Sequence, residues 1–186
     1  MTWIEIPEAG IMVPVPASWE QIPPDDLADP DRRKDLERRF PGTFTLLEQA
    51  DRLGDRAAPV LLAVDPSDAS RSGSFVTNLS VLATEPSVGG LLLDLVAGFI
   101  ADGIAETLGA PTPPSERVNL PAGEAIRLDF DVPPDEDGRP MTAFAWVIGA
   151  PGATVLVTLM GSEAALGDIR PDELAAAIRP LDGGAP

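Results

Sequence analysis

Ile126-Arg127-Leu128-Asp129-Phe130-Asp131-Val132 alternates apolar and charged side chains, the two-residue period of a strand with one face on a core and the other in water. The residues after this strand decide the fold. Residues 133–140 hold Asp137-Gly138, a pair suited to a hairpin turn because glycine takes positive φ without strain. Two more apolar runs, 141–148 and 154–160, are joined by Gly149-Ala150-Pro151-Gly152. Strands linked by turns this short form a meander, and so an antiparallel sheet.

On 141–148, Met141, Ala143, Ala145 and Val147 point one way; Phe144, Trp146 and Ile148 point the other, with Thr142. Both faces are apolar, so both must be covered. Either the chain's own helices cover them, or one face forms a groove for an apolar helix of a partner. In the second case Phe144, Trp146 and Ile148, with Trp19 and Trp3 on the same sheet, are the candidate partner-binding residues, because Trp and Phe dominate such interfaces.

Upstream of the meander, residues 88–108 read as the main helix, with Leu92, Val96, Phe99, Ile100, Ile104 and Leu108 as its apolar stripe. Residues 60–64 and 75–83 read as strands, and 66–74 as a loop of small polar residues. Asp29 or Asp31 suits the N-cap of a helix reaching about Phe40, and Pro41-Gly42 breaks it. Thr43 suits the cap of a second helix, to about Leu53. At the start, Trp3-Ile4-Glu5-Ile6 and Ile11-Met12-Val13-Pro14-Val15 form a hairpin around Pro7-Glu8-Ala9-Gly10. At the end, 171–179 is a closing helix with Asp172 and Glu173 at its positive end and Pro180 stopping it. This order implies an α+β fold, one antiparallel sheet with helices over its faces. It is expected as a single domain over 1–186, with 182–186 as a flexible tail.

Composition narrows the function. The 186 residues carry 30 acids against 13 bases, a net charge of −17. Nucleic acid is disfavoured, since binding it needs Lys and Arg to displace counterions from phosphates. Cysteine and histidine are both absent, which removes disulfides, thiolate chemistry, Cys-ligated metals and every Ser–His pair. The apolar stretch 88–108 is interrupted by Asp94, Asp102 and Glu106, each costly in a lipid core. No membrane span is expected. The first residues show neither a basic nor an apolar leader region, so a cytoplasmic location is expected.

The remaining constellations are weak. Asp129 and Asp131 share a strand face about 6.8 Å apart along the strand. As a pair they suit general acid–base chemistry only if burial raises one pKa; otherwise they are a solvated face. Asp135-Glu136-Asp137-Gly138 resembles part of a calcium loop, but Pro133 stands where the first ligand belongs. Gly89-Gly90 ahead of the main helix suits an anion or, more simply, the geometry of the turn. No nucleotide-binding glycine motif is present, and no cofactor is expected. Arg32, Arg33, Lys34, Arg38 and Arg39 form a basic cluster in an acidic chain. They are either a docking site for an acidic partner or a solvated helix with internal pairs Arg33–Glu37 and Asp35–Arg39.

Two signatures give a resemblance. Pro14-Val15-Pro16-Ala17-Ser18-Trp19 after the hairpin is similar to a Pro-x-x-Trp motif, and Phe75-Val76-Thr77-Asn78-Leu79-Ser80-Val81 is similar to a Phe-x-x-Asn-x-x-Val strand. With the element order, they make the chain resemble the MOG/PsbP-like fold family, in its DcrB/LpqN-like bacterial branch. The resemblance implies an α/β/α sandwich and a non-enzymatic binding or adaptor role, without a cofactor. The missing Cys and His depart from the lipoprotein members and from any His-ligated metal site. A protein partner is therefore the expectation. The alternatives are an immunity-type or structural acidic protein, and a hydrolase or lyase built on Asp129 and Asp131.

Overall fold

A computed structural model describes residues 1–43, 57–71, 75–135, 137–167 and 169–181. The tail 182–186 and the expected helix after Thr43 lie outside these residues, as does Glu136. Within them the fold is α+β and its strand pairings are antiparallel.

Strands β7 (Gly123–Phe130), β8 (Met141–Gly149) and β9 (Thr154–Ser162) form the expected meander, in which Arg127 faces Trp146 and Trp146 faces Val157. The sheet extends further on both sides. β6 (Ser115–Leu120) pairs with β7 at one edge, while β5 (Asn78–Thr84), β4 (Ala57–Val64) and β3 (Glu20–Ile22) continue from β9 to the other. The order is β3-β4-β5-β9-β8-β7-β6. Pro59 lies in β4 beyond the reach of β3, which pairs only Leu62 to Val64. A residue without an N–H is tolerated where one side of the strand has no neighbour.

The expectation of one sheet needs correction. β1 (Thr2–Ile6) and β2 (Ile11–Val15) do not join the large sheet; they form a second one with the short β10 (Arg179–Pro180). The reason lies in burial. Ile6, Ile11, Val13 and Val15 are buried with Trp146, Ile148, Val155, Val157 and Leu159 in one core, so the hairpin acts as a cover for the sheet rather than its extension.

The helices are α1 (Pro24–Ala28), α2 (Pro30–Arg39), α3 (Asp68–Arg71), α4 (Gly90–Leu108), α5 (Glu163–Leu166) and α6 (Pro171–Ala177). Of the two cap candidates, Asp29 is the one that caps α2, its carboxylate accepting the N–H groups of Asp31 at 2.9 Å and Arg32 at 3.3 Å. Strand alternation then splits the core in two. Leu82, Ile126, Leu128, Phe130, Ala145 and Val147 bury against α1, α2 and α4, while Val81, Ala83, Ala125, Trp146 and Ile148 bury against the hairpin, α5 and α6.

Candidate functional site

The long helix α4 is where packing and pattern part company. It lies across β6, β7 and β8 and buries Leu93, Ala97, Ile100, Ala101, Ile104 and Ala105. Ala97, Ala101 and Ala105 recur every fourth residue, so a row of small side chains lets the helix sit close on the sheet. Of the stripe read from the sequence, Ile100 and Ile104 are buried and Val96 and Leu108 half-buried, whereas Leu92 and Phe99 face outward. The core face is thus turned away from the one expected. Leu91, Leu92, Leu95 and Phe99 remain 83, 54, 72 and 63 % exposed. Among the described residues six large apolar side chains are exposed, and these are four of them. At about 100° per residue this set lies roughly opposite the buried one.

Both ends of α4 are held firmly. The backbone N–H of Val88 donates to the Thr154 hydroxyl at 3.0 Å, and that hydroxyl donates to Pro86 O at 3.0 Å. A Cβ on Gly149 would come within 2.4 Å of Val88 O, so the chain leads into the helix against bare backbone. Glu124 accepts the Gly90 N–H at 2.8 Å. Arg117 on β6 pairs with Glu124 and Asp94 and donates to Gly90 O at 3.2 Å. At the far end Gly109 takes φ 62° and its N–H bonds Ala105 O and Glu106 O, a left-handed cap. The exposed face is therefore carried on a fixed support.

Acids surround it. Asp102 and Glu106 are exposed along the same side of α4, with the Thr112 hydroxyl donating to Asp102 at 2.9 Å. Among the described residues, Asp94 and Glu124 on the sheet side pair with Arg117.

The candidates read from sequence fare differently. Trp146 is 1 % exposed and Ile148 fully buried, in the core beneath the β1–β2 hairpin. Trp19 is buried in the same core, and Phe144 is half-buried, its ring 6.3 Å from that of Trp146. Their sheet face is core rather than groove. Two apolar faces require two covers, and the hairpin supplies the second. Trp3 is partly exposed and lies outside this core, with the Arg179 guanidinium 4.1 Å from its ring centroid.

The basic cluster lies on the opposite side of the sheet, since Leu36 and Phe40 of that segment belong to the α4-side core. Arg32 pairs with Asp26 and Asp29, Lys34 with Asp31, Arg38 with Asp35, and Arg39 with Glu20 at 2.7 Å. The expected partners are corrected. Arg33 donates from Nε to Leu27 O, Glu37 accepts the Gly42 N–H at 2.8 Å, and Asp35 takes Arg38 in place of Arg39. Arg32, Lys34, Arg38 and Arg39 of the cluster thus each face a carboxylate, on α2 itself or on the neighbouring α1 and β3.

Asp129 and Asp131 are both exposed. Asp129 accepts from Arg127 at 2.8 Å, and Arg127 also reaches Asp172 of α6 at 2.5 Å. The hydrogen bond that Arg127 donates to Asp129 chiefly, opposed by burial and reinforced by the charges of Asp129 and Asp172, holds the guanidinium above its ordinary range. Asp129 is thus an exposed partner of a permanent cation. In the 135–139 turn, Asp135 Oδ1 accepts the N–H groups of Asp137 at 3.0 Å and Arg139 at 2.9 Å, which closes its own loop.

A cleft of about 930 Å³ lined by Glu8, Thr84, Glu85, Ser87 and Pro151 holds two carboxylates and two hydroxyls, of which Ser87 donates to Ala150 O at 2.5 Å and is engaged in the fold. Among the described residues no helix is long and apolar enough to cross a membrane. No protein-family model matches the chain, and no curated protein matches it.

The sequence does not single out the outward stripe. Leu91, Leu92, Leu95 and Phe99 are visible there, yet so are Leu93, Val96, Ala97 and Ile100, which leave the helix apolar nearly all round over its first half. A helix of that kind does not announce which side meets the sheet.

Proposed function

We propose that this protein is a non-enzymatic binding domain that docks another protein on the outward face of α4. The single observation carrying this reading is the exposure of Leu91, Leu92, Leu95 and Phe99 on a helix whose opposite side is fully packed. Fully burying such a side chain is worth about 1.5–3 kcal/mol. Four left in water on one rigid stripe mark a contact surface rather than scattered surface residues. The net charge of −17 argues for a protein and against nucleic acid or an anionic lipid surface. The absence of imidazole and thiol from the whole sequence supports binding over chemistry.

We place the fold with the MOG/PsbP-like proteins as an α/β/α sandwich, adaptor-like in role and cytoplasmic. The fold part of this reading is supported by the antiparallel sheet between two cores and the strand-then-long-helix order of β5 and α4.

The test is affinity capture from a lysate of the organism that encodes the protein, with the double variant Leu95→Ser/Phe99→Ser alongside. The wild-type chain is expected to retain a defined protein that the variant loses, with both melting alike since neither residue is in the core. Equal capture by both would remove α4 as the docking face.

A further inference from the structure

Trp3 and Pro14 sit opposite each other on the β1–β2 hairpin. Strand alternation sends Ile6, Ile11, Val13 and Val15 into the core and leaves this pair on the other face. Leu174 and Ala177 are three residues apart, so they share one face of α6. With Pro16 and Ile169 these residues line a cleft of about 430 Å³ between the hairpin and the helix. A cleft of that size lies within the range of small-ligand pockets. Its two prolines, with φ fixed by their rings, make one wall stiff.

The polar groups at the cleft are few. Arg170 and Glu173 line it and answer each other at 3.1 Å. Arg179 differs from them. β10 pairs it with Met12, two residues before Pro14, which puts it on the Trp3 face of the hairpin. Its guanidinium lies over the Trp3 ring, 4.1 Å from the centroid. Among the described residues Arg117, Arg127, Arg139 and Arg170 each meet a carboxylate, whereas Arg179 meets none. Even Glu5, on the same face of the hairpin, forms no ion pair with it. A guanidinium over a ring uses its flat face and keeps its N–H edge, a fork that matches the two oxygens of a carboxylate.

We infer that this cleft binds a small apolar monocarboxylic acid, its hydrocarbon body against Trp3, Pro14 and Leu174 and its carboxylate on Arg179. Charge complementarity selects the acid group, since the guanidinium is the cation left open beside an apolar wall. A second acid group on the ligand would find Arg170 already taken by Glu173. The net charge of −17 opposes any anion at long range, but salt screens that repulsion beyond about 10 Å at 0.1 M. The bidentate contact acts well inside that distance.

The experiment titrates the full chain with octanoate, octanamide and octylammonium, three probes that share one alkyl chain. The indole N–H signals of Trp3, Trp19 and Trp146 are followed by NMR, with the two buried rings as internal controls. Octanoate is expected to shift the Trp3 signal saturably, with a Kd of about 1 mM or tighter. Octanamide, which keeps the shape and loses the charge, is expected to bind about tenfold more weakly. Arg179→Gln is expected to bring octanoate down to the level of octanamide while octanamide itself is unchanged. Trp3→Ser, read by calorimetry, is expected to weaken both, with the melting curve little changed because the ring is partly exposed.

Equal binding of octanoate and octanamide would overturn the acid group as the feature recognised. Octylammonium binding as tightly as octanoate would overturn it too, since an acidic surface would then govern the site. Loss of the preference in Arg170→Gln and not in Arg179→Gln would overturn the assignment of the cation. A short peptide ending in free Leu-Phe that binds more tightly than octanoate, and fails once amidated, would make a chain end the occupant, contrary to the inference. No shift of the Trp3 signal by octanoate at about 10 mM, well above the weakest affinity expected, would overturn it outright.

Discussion

Trp146 shows how little a residue's type says about its use. Its ring is the kind that anchors an interface, yet it stands 1 % exposed beside Ile148 and Val157. Truncating a buried aromatic removes its transfer energy and leaves a cavity. Trp146→Ala is therefore expected to lower unfolding stability by about 3–5 kcal/mol, read from urea denaturation, with partner capture per folded molecule unchanged. Loss of capture without loss of stability would return Trp146 to the docking surface. The arginines of α2 teach the same lesson from the other side. Arg32, Arg38 and Arg39 each meet an acid of their own neighbourhood, so a cluster that looks basic in the sequence is close to neutral as a surface.

At the level of elements, α2 and α4 differ in what their sequences declare. The start of α2 is written in Asp29, whose carboxylate takes two otherwise unpaired N–H groups of the first turn. Asp29→Ala is expected to cost about 1 kcal/mol, measured as a fall in the denaturation midpoint with an unchanged slope. In α4 the informative residue is Gly98. Nothing lies within 4 Å of where its Cβ would stand, and it is not among the glycines with positive φ. The fold has no use for glycine there, and in a helix interior it costs roughly 0.5–1 kcal/mol relative to alanine. Gly98→Ala is expected to raise thermal stability by that amount and to weaken partner capture, because the notch is filled. A variant that gains stability and keeps full capture would show that the notch is not used.

Over the whole molecule, charge and apolar surface pull in opposite directions. A net charge of −17 keeps the chain dispersed and strains its compact state by self-repulsion. Screening shortens that repulsion to about 10 Å at 0.1 M salt. The melting temperature is accordingly expected to rise as sodium chloride increases from a few millimolar to about 0.15 M, where the screening length falls to ~8 Å, and to level off beyond. A flat or falling curve by scanning calorimetry would mean that local pairs such as Arg117 with Asp94 and Glu124 outweigh the general repulsion.

The meander, the N-terminal hairpin, the cap of α2 and the extent of α4 were legible from residue order, because period and turn chemistry are local properties. Edge strand β6 and the short β3 and β10 were not, since they owe their pairing to neighbours rather than to any pattern of their own. The fate of each apolar face was beyond the sequence for a related reason. Hydrophobicity belongs to a side chain, but exposure belongs to whatever packs against it. On β8 both faces are apolar, and the hairpin closes one while α4 closes the other. On α4 the first half is apolar nearly all round, and the row of Ala97, Ala101 and Ala105 seats one side on the sheet. That left Leu91, Leu92, Leu95 and Phe99 turned to solvent, a placement set by packing alone.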